Sequence, residues 1–191
     1  MNYTFIDYAK SKVDIPKIQE DAFLSLINFK KIKKGENFIS EGEFSKSIAY
    51  VKKGLFRYYY INEKGFEFTK KFVPENSIMS AYGAYLKNIK SYLTIQALED
   101  SEIEVLDLKS FESLTQEHSS WNNFLIKVLQ EITLSKEKRA REFLMNSAPE
   151  RYFSFLNSFP DLEKRVKQHI IASYIGISAE SLSRIRRKMI Y

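Results

Sequence analysis

The stretch QHIIASYIGISAESLSRIRRK, residues 168–188, decides how this chain is read. A helix-turn-helix needs two helices that meet at a steep angle across a tight turn. The first helix must carry a small residue where the second crosses it, and Ala172 supplies one. The turn needs a residue free to adopt a positive φ, and Gly176 follows four positions later. Ile177 then plugs the core, and Ser178 stands where a second helix would take its N-cap. Leu182 and Ile185 face inward against Ile171 and Ile175, which leaves Glu180, Ser181, Ser183, Arg184 and Arg187 outward.

Charge points the same way. The chain carries a formal net charge of +6, and from Lys164 to Tyr191 seven Lys/Arg stand against one acid, Glu180, so residues 1–163 are formally neutral. A neutral body with a cationic end suits a polyanionic partner. Groove chemistry assigns the outward residues: arginine can bond guanine O6 and N7 together, and glutamate can accept from cytosine N4. Glu180, Ser183, Arg184 and Arg187 are therefore the candidate base readers. A lone carboxylate on a basic face also suits the positive end of its own helix, and both uses of Glu180 can hold at once. Lys167, Gln168, Ser181, Arg186 and Lys188 are the candidate phosphate contacts, with Lys164 and Arg165 just ahead of the first helix.

Upstream, the periodicity changes twice. An apolar set at Ile18, Phe23, Leu24 and Ile27 suits a short helix after Pro16. Between residues 29 and 108, β-branched and aromatic runs at 38–42, 48–51, 55–61, 66–69 and 103–106 are split by Gly35, Gly42, Gly54, Asn62 to Gly65, and Pro74 to Asn76. Many short strands at regular spacing predict an antiparallel sandwich or barrel. From Lys109 the period is helical again: Trp121, Phe124, Leu125, Val128, Leu129 and Ile132 recur at three and four. A helix over 121–145 is longer than a small barrel needs for cover, so Phe124, Leu125, Val128 and Ile132 are candidates for an interface with a second copy. Ser147-Ala148-Pro149-Glu150 is a capping-box start for a helix that stops near Phe159-Pro160. The expected organisation is an α+β chain: a β domain over 1–120, a long helix over 121–145, and a helix-turn-helix domain over 146–191.

With this order on view, the chain resembles the Crp/Fnr superfamily of bacterial transcription regulators. The likeness rests on the turn-punctuated strands with Glu41-Gly42-Glu43, Lys53-Gly54 and Lys64-Gly65, the long helix, and Glu180-Ser181-Leu182-Ser183-Arg184 in the second helix of the motif. The resemblance implies an antiparallel β-roll of the cyclic-nucleotide-binding type and a homodimer through the long helix. Glu180, Ser183 and Arg184 would read a palindromic operator in double-stranded DNA. It also implies RNA polymerase as a further partner, while the lack of any apolar run near the roughly 20 residues that span a bilayer leads one to expect no membrane, and the absence of cysteine a cytoplasmic location.

The chain departs from that pattern in ways that carry expectations of their own. Where cyclic-AMP receptors hold a ribose-binding glutamate and a phosphate-binding arginine, Ser80-Ala81-Tyr82-Gly83-Ala84 and Ser91-Tyr92-Leu93 offer alanine and serine. Without a bidentate cation, a cyclic phosphate would be desolvated with little compensation, so no cyclic AMP is expected. Tyr82, Gly83, Ser91 and Tyr92 mark the corresponding pocket, closed by its tyrosines or lined by them for another small effector. There is no cysteine, so no cysteine-ligated iron–sulfur cluster is expected. His118 and His169 lack partners at ligand spacing, so no haem or metal is expected either. The family usually continues past the recognition helix into a β-wing, whereas Met189-Ile190-Tyr191 stand there in this sequence, so a motif without a wing and with fewer backbone contacts to DNA is expected. An alternative is a signal-binding or protein-interaction β-roll whose helical domain only packs. No nucleophile–base pair or phosphate-cradling glycine loop argues for an enzyme.

Overall fold

Thr4 closes a capping box with Asp7, which starts helix α1 (Phe5–Lys10). The computed structural model describes residues 3–189. Helix α2 (Lys17–Leu26) follows Pro16, as the sequence predicts, but its apolar set divides. Phe23 is fully buried, whereas Ile18 and Leu24 face outward, because the helix lies on the core with one narrow edge only. Helix α1 has too few residues for periodicity to reveal it, yet Phe5, Ile6 and Ala9 are all core. Its first backbone N–H is held by the buried Glu104 carboxylate at 2.6 Å, and Lys52 pairs with the same carboxylate at 3.2 Å. Placing that acid at a helix N-terminus satisfies an otherwise orphan donor and compensates the buried charge.

The strands are β1 (Asn28–Ile32), β2 (Asn37–Ile39), β3 (Ser47–Lys53), β4 (Phe56–Ile61), β5 (Glu67–Val73), β6 (Ser77–Met79), β7 (Thr94–Ala97) and β8 (Ser101–Asp107). They form two four-stranded antiparallel sheets, ordered β1-β8-β3-β6 and β2-β7-β4-β5. Strands β1, β6 and β7 go beyond the five runs legible in the sequence. Four of the five residues of β1 are exposed, so it carries no alternation, and β6 has only three residues. Between the sheets lie Val51, Phe56, Val73, Met79, Ile95 and Ile103, all buried.

Short helix α3 (Tyr82–Leu86) crosses after β6, and α4 (Leu108–Glu117) leaves β8 through an Asp107 cap. His118 breaks the helix with extended backbone, and its ring accepts the Ser120 N–H at 3.2 Å. Helix α5 (Ser119–Met145) then runs for 27 residues, roughly 40 Å at 1.5 Å per residue. Its first half carries Trp121, Phe124 and Val128 into a core built from Phe5, Phe23, Tyr50, Phe111 and Leu114. Trp121 stacks on Phe23 at 4.8 Å, and full burial of each such ring stabilises by about 1.5–3 kcal/mol.

That packing corrects the expected interface with a second copy. Phe124 and Val128 are 1% and 5% exposed within their own chain, and Leu125 and Ile132 pack against the same core. Other residues of α5 face outward, among them Ile126, Leu129, Thr133, Leu134, Ala140 and Leu144. The remaining helices are α6 (Ala148–Ser158), α7 (Leu162–Arg165), α8 (Gln168–Ile175) and α9 (Ala179–Met189). The capping box is present at α6, where Glu150 accepts both the backbone N–H and the hydroxyl of Ser147 at 2.7 Å. Of the residues that stand where the family's wing would begin, Ile190 and Tyr191 lie outside the described residues.

Gly54 turns β3 into β4 at φ 102°, and a Cβ there would meet the Ser101 side chain and stand 2.9 Å from its Cα. Gly54→Ala is therefore expected to lose about 2 kcal/mol or more of stability, read as a lowered urea midpoint at unchanged slope. A midpoint within error of the parent would refute this close approach.

Candidate nucleic-acid interface

The turn between α8 and α9 is made by Gly176 at φ 76°, ψ 41°, the left-handed conformation that L side chains resist. A Cβ at this position would also come within 2.6 Å of the Phe143 ring of α5, which would have to shift to admit it. The α8 side contributes Ile170, Ile171, Ala172 and Ile175 to a core that Leu182 completes from α9. Ile177 and Ile185 pack partly buried at its margin, as their spacing predicts. Ser178 accepts the Ser181 N–H at 3.2 Å and so caps α9.

With Leu182 fully buried, helical geometry pushes the opposite face of α9 into solvent. Glu180, Arg184, Arg187 and Lys188 are exposed, at positions i, i+4, i+7 and i+8. Ser181 and Ser183 flank this face, half-buried. The Ser178 hydroxyl, the Glu180 backbone N–H and then Arg184 hold the Glu180 carboxyl below the usual carboxylate range. This acid stays ionised in the first turn of α9, where the helix N-terminus favours it.

The cations expected to meet phosphate divide into two groups. Lys167 is exposed at the start of α8, and Lys164 and Lys188 are exposed as well. Gln168 instead bridges the motif, its amide donating to the Ala179 carbonyl at 2.9 Å. Arg186 turns inward: its Nε donates to the Tyr152 hydroxyl at 3.0 Å and its guanidinium pairs with Glu163 at 2.8 Å, while Tyr152 donates in turn to Glu163. Arg165 is likewise occupied, forked onto Glu75 and Glu99 of the β domain at 2.7–3.0 Å. Neither arginine is presented to a ligand, because carboxylates distant in sequence take both guanidinium groups.

These contacts also fix the motif on the β domain. Ser173 of α8 donates to the Glu67 carbonyl and accepts the Thr69 N–H, both at 2.9 Å, and so caps the edge of β5. Phe72 packs among Phe155, Phe159 and Tyr174 at centroid distances of 5.0–6.0 Å. Arg139 of α5 donates to the Tyr174 carbonyl at 2.6 Å while lying 3.8 Å over the Tyr174 ring.

The four effector-pocket candidates do not converge. Tyr82 is half-buried and stacks on Tyr85, Gly83 is exposed, and Tyr92 is 68% exposed. Ser91 is buried with its hydroxyl donating to the Leu93 carbonyl at 2.7 Å. Tyr82 alone lines a cavity between the sheets and α5, and Lys71 of β5 lines it too. Lys71 was detectable by alternation, since counting back by two from the core residue Val73 puts it on the inward face.

Residues 29–118 match the family model of the cyclic nucleotide-binding domain. Among solved structures, FixK2 from Bradyrhizobium japonicum superposes with a TM-score of 0.75 at 18% identity, covering 85% of this chain and 84% of its own. A protein from Eubacterium rectale assigned to the Crp/Fnr family of transcriptional regulators gives 0.75 at 17%, covering 92% and 83%. The c-di-GMP-responsive regulator CLP of Xanthomonas campestris gives 0.71 at 14%, covering 91% of each chain. No curated protein sequence matches the chain. Residues 29–118 thus resemble the cyclic nucleotide-binding domain, and the chain shares the fold of these solved structures. Among the described residues, no helix is long and apolar enough to cross a membrane.

The Arg165 fork makes a pH-dependent prediction. Burial pulls the Glu75 carboxyl up, but the Arg165 hydrogen bonds and the Gly54 N–H outweigh it and hold it below the usual carboxylate range. A depressed carboxylate stabilises fully above its unfolded pKa and loses that contribution as pH falls through the folded value. Arg165→Met should lower stability at pH 7 by about 1–2 kcal/mol, a figure reduced for the partial exposure of all three groups. It should also flatten the decline of melting temperature below about pH 4.5. An unchanged acid slope would rule out this pairing.

Proposed function

We propose that the protein is a sequence-specific DNA-binding transcription regulator of Crp/Fnr type that acts as a homodimer and does not respond to cyclic AMP. The observation that carries the reading is the exposed face of α9, where Glu180, Arg184 and Arg187 stand opposite the buried Leu182. A helix so mounted can enter a major groove with its first turns against base edges. Glu180 and Arg184, with Ser183 beside them, take the base-reading roles, and Arg187 extends the row. Lys167 and Lys188 take phosphates, with Lys164 beyond them, while Ser181 sits at the rim and Gln168 positions α9 from behind.

Support for the dimer comes from the outward stripe of α5. Ile126, Leu129, Thr133 and Ala140 fall on heptad positions, Lys136 stands at the one between the last two, and Leu144 lies beside the stripe at 84% exposure. A second copy of the helix would cover these residues, and two recognition helices would then face a two-fold site in double-stranded DNA. RNA polymerase belongs to this reading as the partner through which bound regulator acts. The lack of a cyclic AMP response is supported by Ala81 and Ser91. Both are buried, neither is a cation, and the Ser91 hydroxyl is already engaged.

Arg184→Ala is expected to weaken binding to a selected operator by about 10–100-fold and to relax preference at one base position. Lys167→Ala should weaken binding to all sequences alike and reduce the salt slope by about one. Electrophoretic retardation on a site selected from random DNA reads both, and equal retardation of unrelated fragments by the parent protein would defeat the proposal. Ile126→Glu should convert a dimer to a monomer by light scattering at micromolar concentration. A monomeric parent would remove the two-fold operator.

A further inference from the structure

We propose that the β2–β3 loop, with the end of α3 and the loop after it, docks on an anionic lipid bilayer. Phe44, Leu86 and Tyr92 enter the interface, and Lys46, Lys87 and Lys90 meet headgroup phosphates. The three apolar side chains are 50%, 62% and 68% exposed. Phe44 and Lys90 form an isolated antiparallel bridge, which sets their side chains together on one face. Ser45 and Ser91, the next residue in each segment, are buried. The Gly42 N–H donates to the Ser91 carbonyl at 2.9 Å and the Ser91 N–H to the Glu43 carbonyl at 2.7 Å, so each loop pins the other. The Ile89 N–H donates to the Ala84 carbonyl at 3.0 Å and closes the turn between Leu86 and Lys90.

The flanking cations are available. Lys46, Lys87 and Lys90 are exposed, and none enters an ion pair among the described residues. A groove of about 610 Å³ opens beside Phe44, with Lys30 and Lys46 among its walls. A lipid headgroup entering it would meet a lysine from each of two segments. The acids of these loops are Glu41 and Glu43, and Glu43 is turned back to accept the Ser40 N–H at 2.7 Å.

Single apolar residues on a surface are ordinary. Here three project from loops that hold each other, with lysines interleaved, and that combination of apolar tips and cations is what interfacial binding uses. A tyrosine such as Tyr92 places its ring at headgroup depth while its hydroxyl stays in water. An acidic protein would have to set carboxylates opposite the lysines and a pocket over each separate tip. An anionic bilayer supplies charge and hydrocarbon continuously. Such a surface is touched and not crossed, and no helix among the described residues is long and apolar enough to cross it.

This inference stands on the two loops and not on the DNA-binding reading. Co-sedimentation of the full chain with vesicles of phosphatidylglycerol and phosphatidylcholine in equal parts tests it, against vesicles of phosphatidylcholine alone. Saturable binding to the mixed vesicles is expected, about tenfold weaker or more on neutral ones, and weaker again when salt rises from about 0.1 M to about 0.5 M. Lys46→Gln with Lys90→Gln should weaken binding about tenfold. Phe44→Ser with Tyr92→Ser should weaken it about fivefold at unchanged charge. Tyr92→Ser alone serves the same purpose should the double variant fail to fold. The cationic face of α9 also attracts anions, so Arg184→Ala with Arg187→Ala is the control: it should keep vesicle binding and lose operator retardation, and the loop variants should do the reverse. No sedimentation with the mixed vesicles, loss of binding in the α9 variant but not in the loop variants, or capture of polyglutamate through Lys46 and Lys90 without vesicle binding would overturn the proposal.

Discussion

Phe72 sits in edge strand β5 with its ring turned out of the β-roll and into the helical domain, among Phe155, Phe159 and Tyr174. Leu55 and Leu98 join it there, so the core of the carboxyl-terminal helices is completed by residues of the β domain. An edge strand normally exposes unpaired backbone groups that invite another strand. Here the Ser173 hydroxyl takes both a donor and an acceptor of that edge, and α8 covers it. The same contact that protects the sheet therefore mounts the motif. Because packed cores are not continuously deformable, the direction in which α9 presents its polar face is set by this joint.

The cationic surplus of the carboxyl-terminal region does two separate jobs. Arg165 and Arg186 are consumed within the fold, the first by two carboxylates of the β domain and the second by Glu163 and Tyr152. Arginine suits such positions because its planar fork meets a carboxylate bidentately and stays charged. What remains exposed on or beside α9 is a smaller set: Lys164, Lys167, Arg184, Arg187 and Lys188. A count of charges along the sequence overstates the field offered to a polyanion, since the neutralising acids lie far off in the chain.

Features that depend on neighbours in sequence were legible before any coordinates. Gly176, the Ser178 cap, the inward Leu182 and the Ser147–Glu150 box are all local, and each needs only one helix turn of context. Tertiary features were not legible in the same way. Strand β1 is exposed along most of its length and is held by pairing to β8, so no alternation announces it. Helix α5 shows the reverse difficulty, an excess of signal. Its apolar residues cover more than one face, and periodicity alone does not say which face the barrel takes. The β-roll took Trp121, Phe124 and Val128, the bulkier set, because α1, α2 and α4 bring aromatic rings to meet them. Arg165 and Arg186 looked like surface cations because their partners Glu75, Glu99 and Glu163 carry no spacing signal.

Helix α5 thus has two working faces whose requirements differ. Its inner face roofs the cavity with Leu125, Val128, Leu129 and Ile132, while Ile126, Thr133, Ala140 and Leu144 look outward. Leu129 belongs to the margin of both, lining the cavity while 37% exposed. Farther along, Arg139 grips the Tyr174 carbonyl and Phe143 closes on Gly176, so the same helix braces the turn between α8 and α9. The inner residues of α5, its outer face and its grip on the turn hang from one continuous backbone, so the packing of each constrains where the other two can sit.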